Sequence, residues 1–460
     1  MHGAPRWFFF TSTEATDKTE TLDFIKSIPI IYYAYILYGI FSIYIIRLLL
    51  KKTFRQSKKN ILLFSITLIA LAPFNKVIIN FYTSITHSIN RAYKEIKTLD
   101  ELHFDPKWEV SKVKNRYKNY VIIIGESARK DYHSVYGYPV KNTPFLDSVN
   151  GVFIDGMMVN GIATIPSLRF VLASPGNMDK KNEWFSDYNF NIVDLANKSG
   201  FNTFWISNQG KLGSADTSIT AIANRANKKI FIKQGAHYDD EISGNNSYNK
   251  MDSELIPLFK KELIDSEKSD KPNVFFIHLF GNHIEPCSRL ENNNVDLYKT
   301  YESKYHEISC YVAAIKQTDS NINEIFNILE SQYVKSKKES FSIIYFSDHG
   351  LTHYKSGDTI LFRNINPGKE HFSVPFLKIS SDDSKRTMIK KRKYLYYFSE
   401  NFTDWLGINL VNKKKHLNYN FFTENDSPDI YGVDSLIENH NGDPAIDISP
   451  FLKKRIIDTN

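Results

Sequence analysis

Tyr120-Val121-Ile122-Ile123-Ile124-Gly125-Glu126-Ser127 decides the fold. An unbroken apolar run is not the alternation of a half-exposed strand. It suits a parallel strand covered by helices on both faces. Two later runs have the same form: Val274-Phe275-Phe276-Ile277 and Ser342-Ile343-Ile344-Tyr345-Phe346. Helix-like segments lie between them, for example Thr318 to Tyr333. Such alternation predicts an α/β sheet.

Each run ends in chemistry. The first delivers Gly125-Glu126-Ser127, and the second is followed by His278 and then Gly281-Asn282-His283. The third ends in Ser347-Asp348-His349-Gly350. Ligands of open α/β sheets bind outside the carboxyl ends of the strands. An acid after a single strand is more often a helix cap, but three such strand ends together point to a site. Oxygens from Glu126 and Asp348 with a nitrogen from His349 suit zinc, ahead of manganese. No cysteine takes part, which leaves the metal a Lewis acid rather than a closed structural staple.

Around these runs the 460-residue chain is 42% hydrophobic and 24% charged, with a formal charge of +7. That composition reads as globular and favours anionic partners, phosphates or a membrane surface. The basic residues are scattered and carry no recognition motif, which argues against nucleic acid. Cys287 and Cys310 are the two cysteines, too few for a zinc finger. They pair in an oxidising compartment or stay as thiols in a reducing one.

Residues 28–50 form a long apolar run in which only Arg47 is charged. That is long enough to span a bilayer, which needs roughly 20 residues. A second run, 61–82, is interrupted by Pro73, Asn75 and Lys76. The basic loop Lys51-Lys52-Thr53-Phe54-Arg55-Gln56-Ser57-Lys58-Lys59 between them is expected to be cytoplasmic. Both flanks, and the large C-terminal part, then lie outside. No signal peptide is visible, and an outside N-terminus without an earlier span predicts a sequence that begins inside a longer protein or comes from a shortened gene.

Several motifs carry a resemblance. Ile124-Gly125-Glu126-Ser127-Ala128-Arg129-Lys130-Asp131, then Tyr136-Gly137-Tyr138-Pro139 and Asn142-Thr143-Pro144, closely resembles the opening of the catalytic part of bacterial phosphoethanolamine transferases. Trp205-Ile206-Ser207-Asn208-Gln209, Gly281-Asn282-His283 and Ser347-Asp348-His349-Gly350 look like the family's later motifs, in the same order. Ala15-Thr16-Asp17-Lys18-Thr19-Glu20 is similar to a periplasmic loop of the family, with Asp17 in place of the usual Asn. The resemblance spans residues 12 to about 380.

The resemblance implies an alkaline-phosphatase/sulfatase-like sandwich with a mostly parallel central sheet, preceded by transmembrane helices. The expected division is a membrane region over 1–95 (periplasmic loop 1–27), an amphipathic connector over 96–115, a periplasmic catalytic domain over 116–430 and a tail over 431–460. It implies a nucleophilic threonine that is also a metal ligand. The matching segment is Gly161-Ile162-Ala163-Thr164-Ile165-Pro166-Ser167-Leu168, and Thr164 is the choice, with Ser167 as the fallback. Pro166 fits the first turn of a helix, placing Thr164 just before it, where the helix N-terminus favours a phosphate.

Carried over position by position, the metal ligands are Glu126, Thr164, Asp348 and His349. His283 would steady the phosphoryl group. His371 or His353 would be a second such histidine, although the stretch from Gly350 to Val374 departs from the family pattern. Asn208 would line the substrate site, and Glu20 would hold the ethanolamine ammonium. The implied activity moves phosphoethanolamine from phosphatidylethanolamine, through a covalent threonine intermediate, to lipopolysaccharide (lipid A or core) or a periplasmic glycan. The implied setting is the bacterial inner membrane.

Three alternatives compete. A metal-dependent phosphodiesterase or glycerophosphate transferase of similar build needs the same ligands. A sulfatase needs Cys or Ser in a Cys/Ser-x-Pro-x-Arg setting, and Thr164-Ile165-Pro166-Ser167-Leu168 lacks the arginine. A non-catalytic membrane-anchored remnant need not have kept all five of Glu126, Thr164, His283, Asp348 and His349.

Overall fold

The computed structural model describes residues 106–178, 184–209, 218–232, 250–291, 297–411 and 419–453, with scattered helical positions upstream. Two compact units divide the chain, Met1–Thr98 and Leu99–Asn460. Both expected membrane runs and the Glu20 loop lie essentially outside the described residues. Tyr33, Leu37, Phe41 and Tyr44 of the first run are described, as helical and exposed. Among the described residues no helix is long and apolar enough to cross a membrane.

The second unit is built on an eight-stranded sheet. Its strands are β1 (Asn119–Gly125), β2 (Gly151–Ile154), β3 (Asn202–Ser207), β4 (Lys228–Phe231), β5 (Asn273–His278), β6 (Phe341–Ser347), β7 (Phe376–Ser380) and β8 (Arg386–Ile389). The spatial order is β8-β2-β7-β6-β1-β5-β3-β4. The sheet is mixed: β7 pairs antiparallel with both β6 and β2, and the other pairings are parallel.

The three runs read as strands are the three central ones. Every residue of β1, β5 and β6 is buried, as continuous apolar strands require. The pleat sends their side chains alternately to two cores. Tyr120, Ile122 and Ile124 join one, with Leu168, Ile192 and Phe402. Val121 and Ile123 join the other, with Phe259, Leu263, Ile322 and Ile325. The helices behind these contacts are α1 (Thr164–Leu172), α2 (Ile192–Lys198), α3 (Leu255–Ser266), α4 (His306–Lys335) and α5 (Phe398–Leu406). They form a layer on each face. Each fully buried Ile or Phe contributes about 1.5–3 kcal/mol of transfer free energy.

Register brings the strand ends level. Ile124 lies opposite both Phe346 and His278, and Gly125 lies opposite Ser347. Glu126 and Asp348 therefore leave the sheet side by side, and the Asp348 N–H still donates to Gly125 O at 3.1 Å.

Both margins of the expected catalytic domain are ordered. Val110–Val113, inside the expected connector, pairs antiparallel with Ile408–Leu410. Residues beyond 431 fold back onto the sheet end: Lys369 N–H donates to Asn441 O, and Ala445 N–H to Asp131 Oδ2. Cys287 and Cys310 are joined by a disulfide. It ties the turn after His283 to α4.

Candidate metal centre

Glu126, Asp348 and His349 converge, and a ligand atom from each lies within 4.8 Å of the other two. His349 Nε2 is 3.3 Å from Glu126 Oε1 and 3.4 Å from Asp348 Oδ2. All three side chains are buried, none more than 3% exposed. The His349 Nδ1–H donates to Gly350 O at 2.7 Å, so a neutral ring turns its Nε2 lone pair towards the two carboxylates.

The first-turn residues fix the carboxylates. Ser127 Oγ donates to Glu126 Oε1 at 2.7 Å, and the Ser127 N–H donates to Asp348 Oδ1 at 2.9 Å. Ser127 adopts φ of 56°, a left-handed conformation that costs a non-glycine residue on the order of 1 kcal/mol or more. Tyr311 holds it there, donating to Ser127 O at 2.6 Å. The His349 N–H also donates to Asp348 Oδ1, at 2.7 Å. Asp348 Oδ2 is buried and accepts no hydrogen bond among the described residues.

The three groups shift one another's proton affinities. Burial and then the Glu126 charge raise the Asp348 carboxyl above the usual range. Burial acts on Glu126 in the same sense, but the His349 hydrogen bond and charge overcome it and lower its pKa. Burial opposes a charged His349, yet Asp348 and Glu126 push it up to about 9. Two carboxylates around one imidazole, with one oxygen left without a donor among the described residues, offer a place for a cation. A zinc ion with bonds of about 2 Å needs its tetrahedral ligand atoms roughly 3.3 Å apart, which matches the spacing around His349 Nε2. The donor set therefore fits zinc.

Thr164 completes the arrangement. Its Oγ1 donates to Glu126 Oε2 at 3.0 Å. The helix starts one residue earlier than the sequence predicts: Thr164 is itself the first residue of α1, and Ala163, in extended conformation, is the cap. Ser167, the fallback nucleophile, is fully buried and donates to Asp348 O at 2.5 Å. The structure thus sets Thr164 against the cluster and uses Ser167 to tie α1 to it.

The histidines separate. His283 is half-buried, and its charge lowers the Glu126 pKa. His371 stacks on His349 with ring centroids 5.6 Å apart. Its Nε2 lies 3.1 Å from Ile162 O and its Nδ1 3.1 Å from Thr352 Oγ1. Burial, then the His349 charge, keep it neutral. It braces His349 and the backbone before Thr164. His353 lies in a different network, between Tyr132 Oη at 2.6 Å and Asp443 Oδ1 at 2.7 Å. Asn208 donates through Nδ2 to Asp252 Oδ1 at 2.8 Å and Lys250 O at 3.1 Å.

Some contributors escaped the sequence reading. Gln209 Nε2 bridges Leu279 O (2.8 Å) and Glu126 Oε2 (3.3 Å). Asp252, Tyr311 and Asp443 bear no motif of their own. Gln209 could have been flagged by its place directly after Asn208 at a strand end.

Residues 118–408 match the sulfatase family model. A Haemophilus influenzae protein assigned as a phosphoethanolamine transferase is 33% identical over 390 residues, covering 81% of this chain and 74% of its own. Phosphoethanolamine transferase OpgE of Escherichia coli is 30% identical over 477 residues, covering 98% of this chain and 85% of its own. Among solved structures, the zinc complex of the periplasmic domain of Escherichia coli EptC aligns with a TM-score of 0.53 at 19% identity, over 70% of this chain and 98% of that one. The integral membrane protein EptA of Neisseria meningitidis aligns with a TM-score of 0.51 at 15% identity, over 76% and 68%. These two likenesses speak for the fold.

Proposed function

We infer the activity from one premise: the chain belongs to the sulfatase family, alongside the phosphoethanolamine transferases that are its relatives. The proposal is that it transfers phosphoethanolamine from phosphatidylethanolamine to a lipopolysaccharide or glycan acceptor, with Thr164 as the nucleophile. The observation that carries it is the Thr164 hydroxyl at the head of α1, 3.0 Å from Glu126 in a cluster with the donor set of a metal site.

Glu126, Asp348, His349 and Thr164 would hold zinc. When bound, the metal supplies Lewis-acid stabilisation of the phosphoryl oxygens and of the threonine alkoxide. Glu126 Oε2 takes the Thr164 hydroxyl hydrogen bond and orients its oxygen. The first turn of α1 would turn the positive end of its dipole, and the N–H groups of Thr164 and Ile165, towards the incoming phosphate. Thr164 Oγ1 forms a bond to phosphorus as the bond to the glycerol oxygen breaks. His283 hydrogen-bonds the phosphoryl group or protonates the departing diacylglycerol alkoxide. An acceptor hydroxyl or phosphate then displaces Thr164 and takes the phosphoethanolamine, in two half-reactions of ping-pong form.

The setting follows from the same reading. A lipid donor puts the site near a bilayer, consistent with the apolar runs 28–50 and 61–82. The Cys287–Cys310 disulfide suits an oxidising compartment such as the periplasm. Glu20 remains a candidate for the ammonium group.

The test is mass spectrometry of the chain after incubation with phosphatidylethanolamine. A phosphoethanolamine adduct is expected on the peptide containing Thr164, and none on Thr164→Ala. An unmodified Thr164 in a folded, zinc-loaded chain would refute the covalent route.

A further inference from the structure

The turn that carries His283 rests on a buried carboxylate outside the cluster. Asp252, 7% exposed, accepts from the Phe280 N–H at 2.8 Å and from Asn208 Nδ2 at 2.8 Å through Oδ1. Its Oδ2 accepts the Gly281 N–H at 2.9 Å.

What this turn touches is the ligand Glu126. Gly281 has φ of 44°, and a Cβ there would come within 3.0 Å of both Glu126 N and O. The Asn282 N–H donates to Glu126 O at 2.9 Å. The Phe280 ring stacks on His283, centroids 4.8 Å apart and 15° from parallel. Arg289 lies over the same ring at 4.3 Å. The cleft beside Asp252, Asn208 and Arg289 measures about 10 Å³, room for about one water.

We propose that Asp252 is a positioning residue for the transfer: its carboxylate fixes the Phe280–Gly281 turn and so sets His283 against Glu126. The inference rests on the proposed phosphoryl contact of His283. A carboxylate is the right group because both of its oxygens must accept. In Asp252→Asn one oxygen becomes an NH2 that faces a donor, leaving a backbone N–H unsatisfied.

The test uses the full chain, loaded with zinc, and diacylglycerol release from phosphatidylethanolamine vesicles. Asp252→Asn is expected to lower kcat by about 10–100-fold, as a misplacement of about 1 Å does, with KM unchanged. In a His283→Asn background the same change is expected to cost less than about twofold, because coupled residues are non-additive. Exchange of the Phe280 and Gly281 amide hydrogens should quicken at least about tenfold in Asp252→Asn, as local protection is lost. Equal losses in both backgrounds, or no loss, would overturn the proposal. Should Asp252→Asn fail to fold, Asn208→Ala removes one of the bonds to the carboxylate, and a loss of about 2–5-fold that also vanishes without His283 is expected. An Asn208→Ala loss that persists without His283 counts against it. If the parent protein releases no diacylglycerol, the functional reading fails, and the amide exchange decides the positioning alone: unchanged exchange overturns it.

Discussion

Two clusters, each of two acids and a histidine, share neighbouring sequence segments and behave oppositely. In one, Arg129 lies fully buried between Asp131 (2.6 Å) and Asp443 (2.9 Å). His353 bridges Asp443 and Tyr132, and the Asp443 N–H donates to Glu370 Oε2 at 2.6 Å. Arg129 is pushed up: burial opposes its charge, but Asp131 outweighs it, and Asp443 is lowered by His353 despite its own burial. In the other, Glu126, Asp348 and His349 have no guanidinium, and one carboxylate oxygen is orphaned. The first cluster carries its own cation and pins the C-terminal segment. The second leaves one buried carboxylate oxygen without a donor among the described residues. Residue type does not distinguish a clamp from a site; whether each carboxylate oxygen has a donor does.

Removing a member should hurt different properties in the two clusters. The largest effect is expected from Thr164→Ala or Glu126→Gln. Transfer should fall by at least about 10³-fold, while the metal-free protein melts as the parent does. Arg129→Met should do the reverse. It leaves Asp131 and Asp443, both partly exposed, without their partner, which costs about 1–3 kcal/mol, read in urea unfolding. Activity per folded molecule should stay within a few-fold. A stable Arg129→Met with no activity would erase the distinction between the clusters.

A comparable effect sharpens it. Reducing the Cys287–Cys310 bond, which closes a loop 23 residues apart in sequence, should lower stability by about 3 kcal/mol in the chain-entropy view. Since that bond anchors the turn after His283, kcat should fall with it, whereas the Asp443 clamp should be untouched. An unchanged kcat in folded, reduced protein would show the turn to be held by Asp252 alone.

The pH dependence comes next. Burial lowers His133 from 6.5 to about 4, although its Nδ1–H donates to Arg129 O, 2.8 Å away. The unfolded chain then binds a proton that the folded one refuses between those values. Stability should be complete above pH 6.5 and decline as pH falls towards 4, by up to about 3 kcal/mol from this group. His133→Gln should flatten that part of the curve. A His133→Gln curve with the parent's slope would assign the acid sensitivity elsewhere, for instance to His278, which burial also lowers to about 4.

The sequence made the strand ends legible because β1, β5 and β6 are apolar throughout, and because each ligand directly follows its strand. Register did the rest: Gly125 lies opposite Ser347, so the carboxylates that follow leave the sheet side by side. Thr164 was legible only through the resemblance, since by itself it reads as a helix cap. The clamp was not legible at all. Arg129 and Asp443 are 314 residues apart, and only the fold brings them together. The same holds for the second histidine. His371 and His353 are equivalent in a linear reading, and packing alone assigns one to brace His349 and the other to the clamp. Asp252 was missed because an acid ahead of a helix looks like any other helix start. The antiparallel β7 was missed because its five residues resemble the parallel strands beside it in composition.

The central claim, that the Glu126 cluster is a cation site and the Asp443 cluster is not, is tested most directly by metal content. The full chain, purified without chelator, is measured for zinc by mass spectrometry of the elements, together with Glu126→Gln and Asp443→Asn. About one zinc per chain, lost in Glu126→Gln and kept in folded Asp443→Asn, is the expected result. Zinc that survives Glu126→Gln and Asp348→Asn together, or that leaves with Asp443→Asn alone, would contradict it.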